Sequence, residues 1–390
     1  MSHGDLDVPR GPGGPGGRAA HLPPVVVLLG GPSAEHDVSV VSGTAIADAL
    51  RDGGAPVSEL LIDLAGRWWW LPAGHRREGR APAAYDDPAS LGAEGPFAVG
   101  AALDRLAALR PRPVVFPALH GPFGEDGTLQ ALLEATGLPY AGSGVAASAI
   151  GMDKALFKRL ARGLGLPVVE WLEVTAGDWA ERREGILRTL EGFARSLGEA
   201  RLIVKPARLG SSLGMTIAHT PPERAAALDE AFRFDTLALV ERYLADAREL
   251  EVSVIGNDPG ALSVHGPGEV FPGREFYDYA AKYTPGLSRT TLTADLPPAL
   301  AAAARGIAAE AYGAIGAEGF ARVDFLLAGE DLFLSEINTI PGFTPISLFP
   351  TLPRVDGLDF LAVTVRVLEL ALERDAARLR RVLTPDDLPR

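Results

Sequence analysis

The sequence predicts an α/β and α+β protein of several domains: an open parallel α/β domain first, a smaller α+β domain next, and a third region built on a β-hairpin. Three observations carry this. Residues 24–31, PVVVLLGG, read as a buried parallel strand ending in glycine, and residues 39–52, SVVSGTAIADALRD, follow with helical spacing. Strand, loop and helix in that order open an α/β sheet, which binds ligands at the carboxyl ends of its strands. From residue 165 the pattern changes to strand-like runs at 167–174, 201–206 and 237–244 around helices near 178–196 and 221–232. Finally, residues 320–344, FARVDFLLAGEDLFLSEINTIPGFT, place two β-rich runs around the turn residues Gly329, Glu330 and Asp331.

The remaining elements fall between these. Residues 66–100 read as an irregular insertion with a short hairpin holding Trp68, Trp69 and Trp70, which suit strand packing or an oligomer contact. A helix at 101–110, a buried strand in 113–121 and a helix at 127–136 continue the first domain, and one helix is expected over 145–163. The third region begins at 248–256 and closes with a helix at 357–373, followed by an Arg-rich tail.

Composition narrows the function. The chain has 390 residues, enough for two or three cores. Its net charge of −13 argues against a general binder of nucleic acid or membrane surfaces. With no cysteine there are no disulfides, thiol nucleophiles or iron–sulfur clusters. No apolar run approaches the ~20 residues of a membrane span. Residues 1–22 are rich in Gly and Pro and read as a disordered leader, not a signal peptide. A cytoplasmic protein is expected. Only four of the 37 basic residues are lysines, Lys154, Lys158, Lys205 and Lys282, so each is a candidate for a position that needs a compact ammonium in place of a guanidinium.

The hairpin carries the chemistry. With the turn centred on Glu330, Asp324 lies opposite Glu336 and Arg322 opposite Asn338, all on one face. Two carboxylates and an amide oxygen suit Mg²⁺, which takes one or two carboxylates plus substrate phosphate oxygens. The same count puts Leu326, Leu332 and Leu334 on that face at the tip. The alternative is a salt-bridged strand pair with Arg322 neutralising the acids. The turn Ile340-Pro341-Gly342 adds exposed N–H groups beside them.

Other segments are weaker alone. Lys205 ends a strand before a small-residue loop containing Gly210, Ser211, Ser212 and Gly214, where N–H groups can approach phosphate oxygens; an ordinary β-turn loop is the alternative. Glu241 and Glu249 suit a nucleotide amine or ribose hydroxyl, or are solvated acids. Residues 275–285, EFYDYAAKYTP, look like a lid with Lys282 and Tyr283, or a surface loop packing its tyrosines. Glu35 sits at a loop-to-helix junction, as a helix N-terminal carboxylate or as the holder of a substrate ammonium.

Together the stretches GGPSAEHDVSVVSG, ALHGPFGEDGTLQ, YAGSGVAASAIGMDK, VKPARLGSSLGM, ELEVSV, FYDYAAKY and ARVDFLL…EINTIPGFTPISLFP resemble the D-alanine–D-alanine ligase family of the ATP-grasp superfamily, in family order over roughly residues 24–372. The resemblance implies a three-domain ATP-grasp architecture: a leader at 1–22, an N-terminal α/β domain at 23–153, a central subdomain at 154–245, a C-terminal subdomain with metal site and lid at 246–375, and a tail at 376–390. It implies ATP-dependent joining of two D-alanines through an acyl phosphate for peptidoglycan precursors, with D-Ala–D-Lac, D-Ala–D-Ser or other ATP-grasp ligation as alternatives. Tyr283 favours an amine acceptor.

The resemblance also assigns roles. Asp324, Glu336 and Asn338 would bind two Mg²⁺ ions, or Mn²⁺. Lys154, Lys205 and Lys282 would meet the phosphates at the Ser211–Ser212 loop, and Glu241 and Glu249 the adenine and ribose. Glu35, with His120 nearby, would hold the first D-alanine's ammonium. Glu35, Ser211 and Tyr283 would tie the lid down. Arg322 and the Gly342 N–H would form an oxyanion site, and Ser347 would hold the second carboxylate. A homodimer through the N-terminal domain is the family's usual state. Three features depart from the family: Ala280 where the lid usually has an acid, Ile337 between the metal-binding Glu336 and Asn338, and the leader.

Overall fold

The computed structural model describes residues 17–272 and 288–380. Its elements run β1 (Val25–Gly30), α1 (His36–Asp52), β2 (Val57–Ile62), β3 (Trp68–Trp70), β4 (Glu94–Phe97), α2 (Val99–Ala108), β5 (Val114–Pro117), α3 (Thr128–Thr136), α4 (Val145–Met152) and α5 (Lys154–Gly163). A middle set follows: β6 (Trp171–Thr175), α6 (Ala176–Leu197), β7 (Leu202–Pro206), β8 (Thr216–Ala218), α7 (Pro221–Ala231) and β9 (Leu237–Arg242). The last comprises β10 (Arg248–Ile255), β11 (Ser263–Phe271), β12 (Arg289–Thr291), α8 (Pro298–Ala314), β13 (Phe320–Ala328), β14 (Asp331–Asn338), α9 (Leu348–Thr351) and α10 (Phe360–Arg378).

These make three sheets, in the orders β4-β3-β2-β1-β5, β6-β9-β7-β8 and β12-β11-β10-β13-β14. In the first, β1 runs parallel to β2 and β5, as the unbroken apolar run of β1 requires, since both its faces are covered. The tryptophan strand β3 joins antiparallel to β2. Its three indoles are buried, and Arg105 lies 5.2 Å from the ring centre of Trp70, so packing accounts for them.

The second sheet carries its core on one face, where Leu202, Val204, Ala238 and Val240 meet α6 and α7. Its other face places Trp171, Leu239 and Ala207 with Ala155 of α5. The third sheet is antiparallel and packs on α8, whose alanines Ala304, Ala308 and Ala311 allow close approach to Val252, Val323 and Phe325.

Several expectations change. The single helix over 145–163 is two, α4 and α5. Asp153 adopts extended angles between them, and its carboxylate accepts from the Leu156 N–H. Of the expected leader, residues 1–16 lie outside the described residues, but 17–22 form a turn. Ala19 is fully buried there, and its N–H reaches the Gly53 carbonyl at 2.8 Å. The closing helix runs on to Arg378, with Asp375 paired to Arg112 at 2.6 Å. It does not pack with its own sheet alone: Val363, Val367, Leu368 and Ala371 share one core with Val25, Val27, Ile46 and Phe116 of the first domain.

The hairpin shows a compensation. Arg322 pairs with Asn338 and Asp324 with Glu336, as expected, but Ala328 pairs with Asp331, so the turn is one residue tighter than a centre at Glu330 requires. A register shift after Asp324 leaves Ser335 as the extra residue. The two departures cancel at the polar end but not at the tip. Leu332 and Leu334 turn into the core with Phe325 and Leu327, while only Leu326 stays on the Asp324 face.

Candidate functional site

The three sheets and the loop after β14 enclose one cleft of about 1300 Å³, large for a single small ligand and sufficient for a nucleotide with further substrate. The first domain contributes Glu35 and His120, the second Lys205, Ser211 and Glu241, and the third Glu249, Arg322, Asp324, Glu336, Asn338, Gly342 and Ser347, with Lys154 from α5. Lys282 and Tyr283 lie outside the described residues.

Glu35 stands immediately before α1 and is 5% exposed. The Ser211 hydroxyl donates to its Oε1 across 176 residues of sequence. Its Oε2 is buried and accepts no hydrogen bond among the described residues. Two glycines make the approach possible: a Cβ on Gly121 would come within 2.5 Å of Oε2, and one on Gly210 within 2.6 Å. A buried carboxylate oxygen left without a donor suits a ligand cation.

Beside it, the His120 ring donates from Nδ1 to the Ile340 carbonyl at 2.9 Å, and its Nε2 shares a hydrogen bond with Ser42 Oγ at 2.9 Å. Burial opposes charge on this ring, but Glu125, at 3.6 Å, and Glu35 outweigh it and raise the imidazole pKa. Glu125 has no counterpart among the residues singled out from sequence. Its acid lies in the GPFGEDG stretch, and only the fold brings it to the ring.

At the polar end of the hairpin, Arg322 donates to both oxygens of Asp324 at 2.7 Å, and its Nε is 3.4 Å from Glu251. Asn338 Nδ2 donates to Asp324 Oδ2 at 2.9 Å. Glu251 is opposite Asp324 on β10 and was not legible in sequence, because it needs the β10–β13 pairing to reach the guanidinium. The salt-bridged strand pair is therefore present, and it is built from the same residues that the sequence offered as metal ligands. Each carboxylate oxygen has a second lone pair, so Asp324 keeps acceptor capacity toward the cleft. Among the described residues no group of three or more His, Cys, Asp or Glu is arranged to hold a metal. The donor set here is two acids and an amide. That chemistry fits a hard cation which completes its shell with phosphate and water oxygens.

The lysines connect the walls. Lys154 Nζ lies 3.2 Å from Glu336 Oε2 and donates to the Leu209 carbonyl at 2.9 Å, pinning the loop of Gly210, Ser211 and Ser212. Both serines of that loop have positive φ, at 51° and 56°, an unusual geometry for residues with a Cβ. Glu241 is 3% exposed and stands between two ammoniums, 2.9 Å from Lys158 and 3.0 Å from Lys205. Burial works to raise its pKa, but the two lysines bring it down to about 2. The carboxylate is thus ionised at any physiological pH. Glu249 is half-buried on the cleft wall. Ser347 occupies the residue before α9 without a side-chain capping bond, and its Oγ bonds Thr344 Oγ1 at 2.7 Å; a Cβ on Gly342 would lie 3.3 Å from it.

Residues 24–143 match the family described as D-ala D-ala ligase N-terminus, and residues 160–369 match D-ala D-ala ligase C-terminus. The chain is 40% identical to a D-alanine–D-alanine ligase of Heliobacterium modesticaldum, over 94% of this chain and 98% of that protein. It is 39% identical to one of Chlorobaculum tepidum, over 90% and 97%. Among solved structures, the D-alanine-D-alanine ligase of Coxiella burnetii superposes with a TM-score of 0.75 at 32% identity, covering 93% of this chain and 97% of that one. The VanG D-Ala:D-Ser ligase of Enterococcus faecalis does so with 0.76 at 28%, covering 90% and 100%.

Proposed function

The chain belongs to the D-alanine–D-alanine ligase family, and from that premise we propose that it uses ATP to join two D-alanines into D-alanyl-D-alanine for peptidoglycan precursor synthesis, releasing ADP and phosphate. One observation carries the reading: a buried carboxylate oxygen without a donor, Glu35 Oε2, shares a single cleft with the acid, amide and guanidinium end of the hairpin. An amino-acid ammonium and a phosphoryl group need those two environments side by side.

A carboxylate is a poor acyl donor, so the first D-alanine, held by its ammonium at Glu35 with His120 beside it, is phosphorylated on its carboxylate by ATP. Lys154, Lys205 and Lys282 offset the charge of the moving phosphoryl group. Asp324, Glu336 and Asn338 would hold two Mg²⁺ ions, or Mn²⁺, which when bound neutralise phosphate oxygens. Glu241 and Glu249 receive the base and ribose. The second D-alanine, its carboxylate held by Ser347, attacks through its amine. The C–N bond forms, the amine loses a proton and phosphate departs. Arg322 and the Gly342 N–H stabilise the tetrahedral oxyanion, worth about 3–4 kcal/mol per donor in comparable sites. The acyl phosphate must be kept from water, a task we give to the lid residue Tyr283 with Glu35 and Ser211.

Among the described residues no helix is long and apolar enough to cross a membrane. We place the enzyme in the cytoplasm, as a homodimer through its first domain. The test is phosphate release from ATP and Mg²⁺ with D-alanine alone, D-alanine plus D-lactate or D-serine, and L-alanine, with products weighed by mass spectrometry. Dipeptide from D-alanine alone is expected. A mixed D-alanyl product as the main species would shift the specificity, and no turnover with any acceptor would overturn the reading.

A further inference from the structure

Lys158 is the one lysine of four to which the resemblance gives no role, and it is the most deeply placed of those described. Its side chain is 1% exposed, against 13% for Lys154 and 13% for Lys205. It stands behind the cleft wall, where Glu241 and Lys205 line the cavity and Lys158 does not. A buried ammonium is costly unless something compensates it. Two groups do so here. Glu241 Oε1 is 2.9 Å away, and the Trp171 ring centre is 5.2 Å from Nζ, with the Arg162 guanidinium also over that ring at 3.6 Å. Trp171 is the cross-strand partner of Glu241, so one patch of the β6–β9 pair receives the lysine from α5.

The two ammoniums meet different oxygens of Glu241, Lys158 at Oε1 and Lys205 at Oε2. Opposed ion pairs at the two oxygens resist rotation of the carboxylate about its last bond. The contact at Oε1 is short but falls outside hydrogen-bond geometry, so this buried oxygen accepts no well-formed hydrogen bond among the described residues. Glu241 is thus fixed, anionic and left with acceptor capacity. Such a group attracts the exocyclic amine of adenine and repels the carbonyl that guanine presents at the same place.

We propose that Lys158 is a positioning residue for the base end of the nucleotide cleft: by holding Glu241 from behind, it aims that carboxylate so that the site takes adenine nucleotides and refuses guanine nucleotides. The inference rests on the ATP-dependent reading above. Lys205 cannot replace it, because it reaches the other oxygen and stands on the cleft wall. The loss of a charge-assisted contact at a buried acceptor changes affinity by about tenfold to a hundredfold.

The experiment measures steady-state turnover of the full chain with ATP and with GTP at saturating D-alanine and Mg²⁺, for the wild type, Lys158→Met, Glu241→Gln and the double variant. Lys158→Met should raise KM for ATP about tenfold or more and shrink the ATP-over-GTP preference in kcat/KM, while KM for D-alanine stays within about twofold. A purely structural lysine would lower Tm and leave the ATP-over-GTP ratio at its wild-type value, and that result overturns the proposal. If Lys158→Met does not fold, the double variant, in which Lys158 and Glu241 lose their charges together, is compared with Glu241→Gln alone. Equal ratios are expected, and a further change on adding Lys158→Met overturns it. Wild type that fails to turn over ATP with D-alanine would instead refute the underlying function.

Discussion

Two ion pairs leave helix α5 one turn apart and end in opposite conditions. Lys154 reaches Glu336 at 3.2 Å, with 13% and 23% of the side chains exposed; Lys158 reaches Glu241 at 2.9 Å, with 1% and 5% exposed. Burial disfavours charge on both lysines. At Lys154 the carboxylates, Glu336 foremost, outweigh it and the pKa rises, whereas at Lys158 burial prevails and the pKa falls. The difference fits the proposed function. On that reading the Glu336 pair would face the phosphates and metal and be exchanged during turnover, and the Glu241 pair would face the base and stay closed. One helix would then supply a replaceable contact and a permanent one from positions four residues apart.

That contrast can be broken by experiment. Glu336→Ala should reduce ATP turnover with D-alanine by about a thousandfold or more while circular dichroism and Tm stay near wild type, since a partly exposed acid contributes little to the fold. Substantial turnover in this variant would remove the metal assignment. Next in size, Lys154→Met should lower kcat by about a hundredfold with a stability change under about 1 kcal/mol. Lys158→Met should do the reverse in urea unfolding, costing about 1–3 kcal/mol because it takes one of two cations from a buried carboxylate. If Lys154→Met proves the more destabilising of the two, the replaceable and permanent roles are misassigned.

The smallest effect is in acid. The pKa of Glu241 is near 2 in the folded chain and 4.5 is its ordinary value, so its contribution is complete above about 4.5 and is lost as pH falls toward 2. Between pH 4.5 and 3.5 the wild type should lose about 1 kcal/mol more stability than Glu241→Gln, followed by chemical denaturation at each pH. Equal slopes would mean that the two lysines do not hold the carboxylate charged.

Much of the site was legible because it is local. Asp324, Glu336, Arg322 and Asn338 lie on one hairpin, where counting from a turn fixes what is opposite what. The counting succeeded at that end only because a tighter turn and the extra Ser335 offset one another, and it failed at Leu332 and Leu334, where no offset applies. A bulge leaves no local signature in a strand of ordinary β-formers. The break at Asp153 was equally hidden, since 145–163 keeps helical spacing on both sides of it. Lys158 and Glu241 are 83 positions apart, and Glu35 and Ser211 are 176 apart. Their meeting depends on the sheets coming together, so residue types made them candidates and only the fold made them partners.

The shared core of the first domain and α10 bears on how the chain is made. Val25, Val27, Ile46 and Phe116 leave the ribosome early, yet Val363, Val367, Leu368 and Ala371, which cover them, come last. Phe343 links the two sets, 5.4 Å from Phe116 and 5.6 Å from Phe360 between ring centres. Domains ordinarily fold as units in the order of synthesis. Here the earliest one synthesised must wait, with an apolar face uncovered, for nearly the whole of translation. A chain ending before residue 360 is therefore expected to expose the face that α10 covers and to self-associate through it, which size-exclusion chromatography of that truncated variant would check.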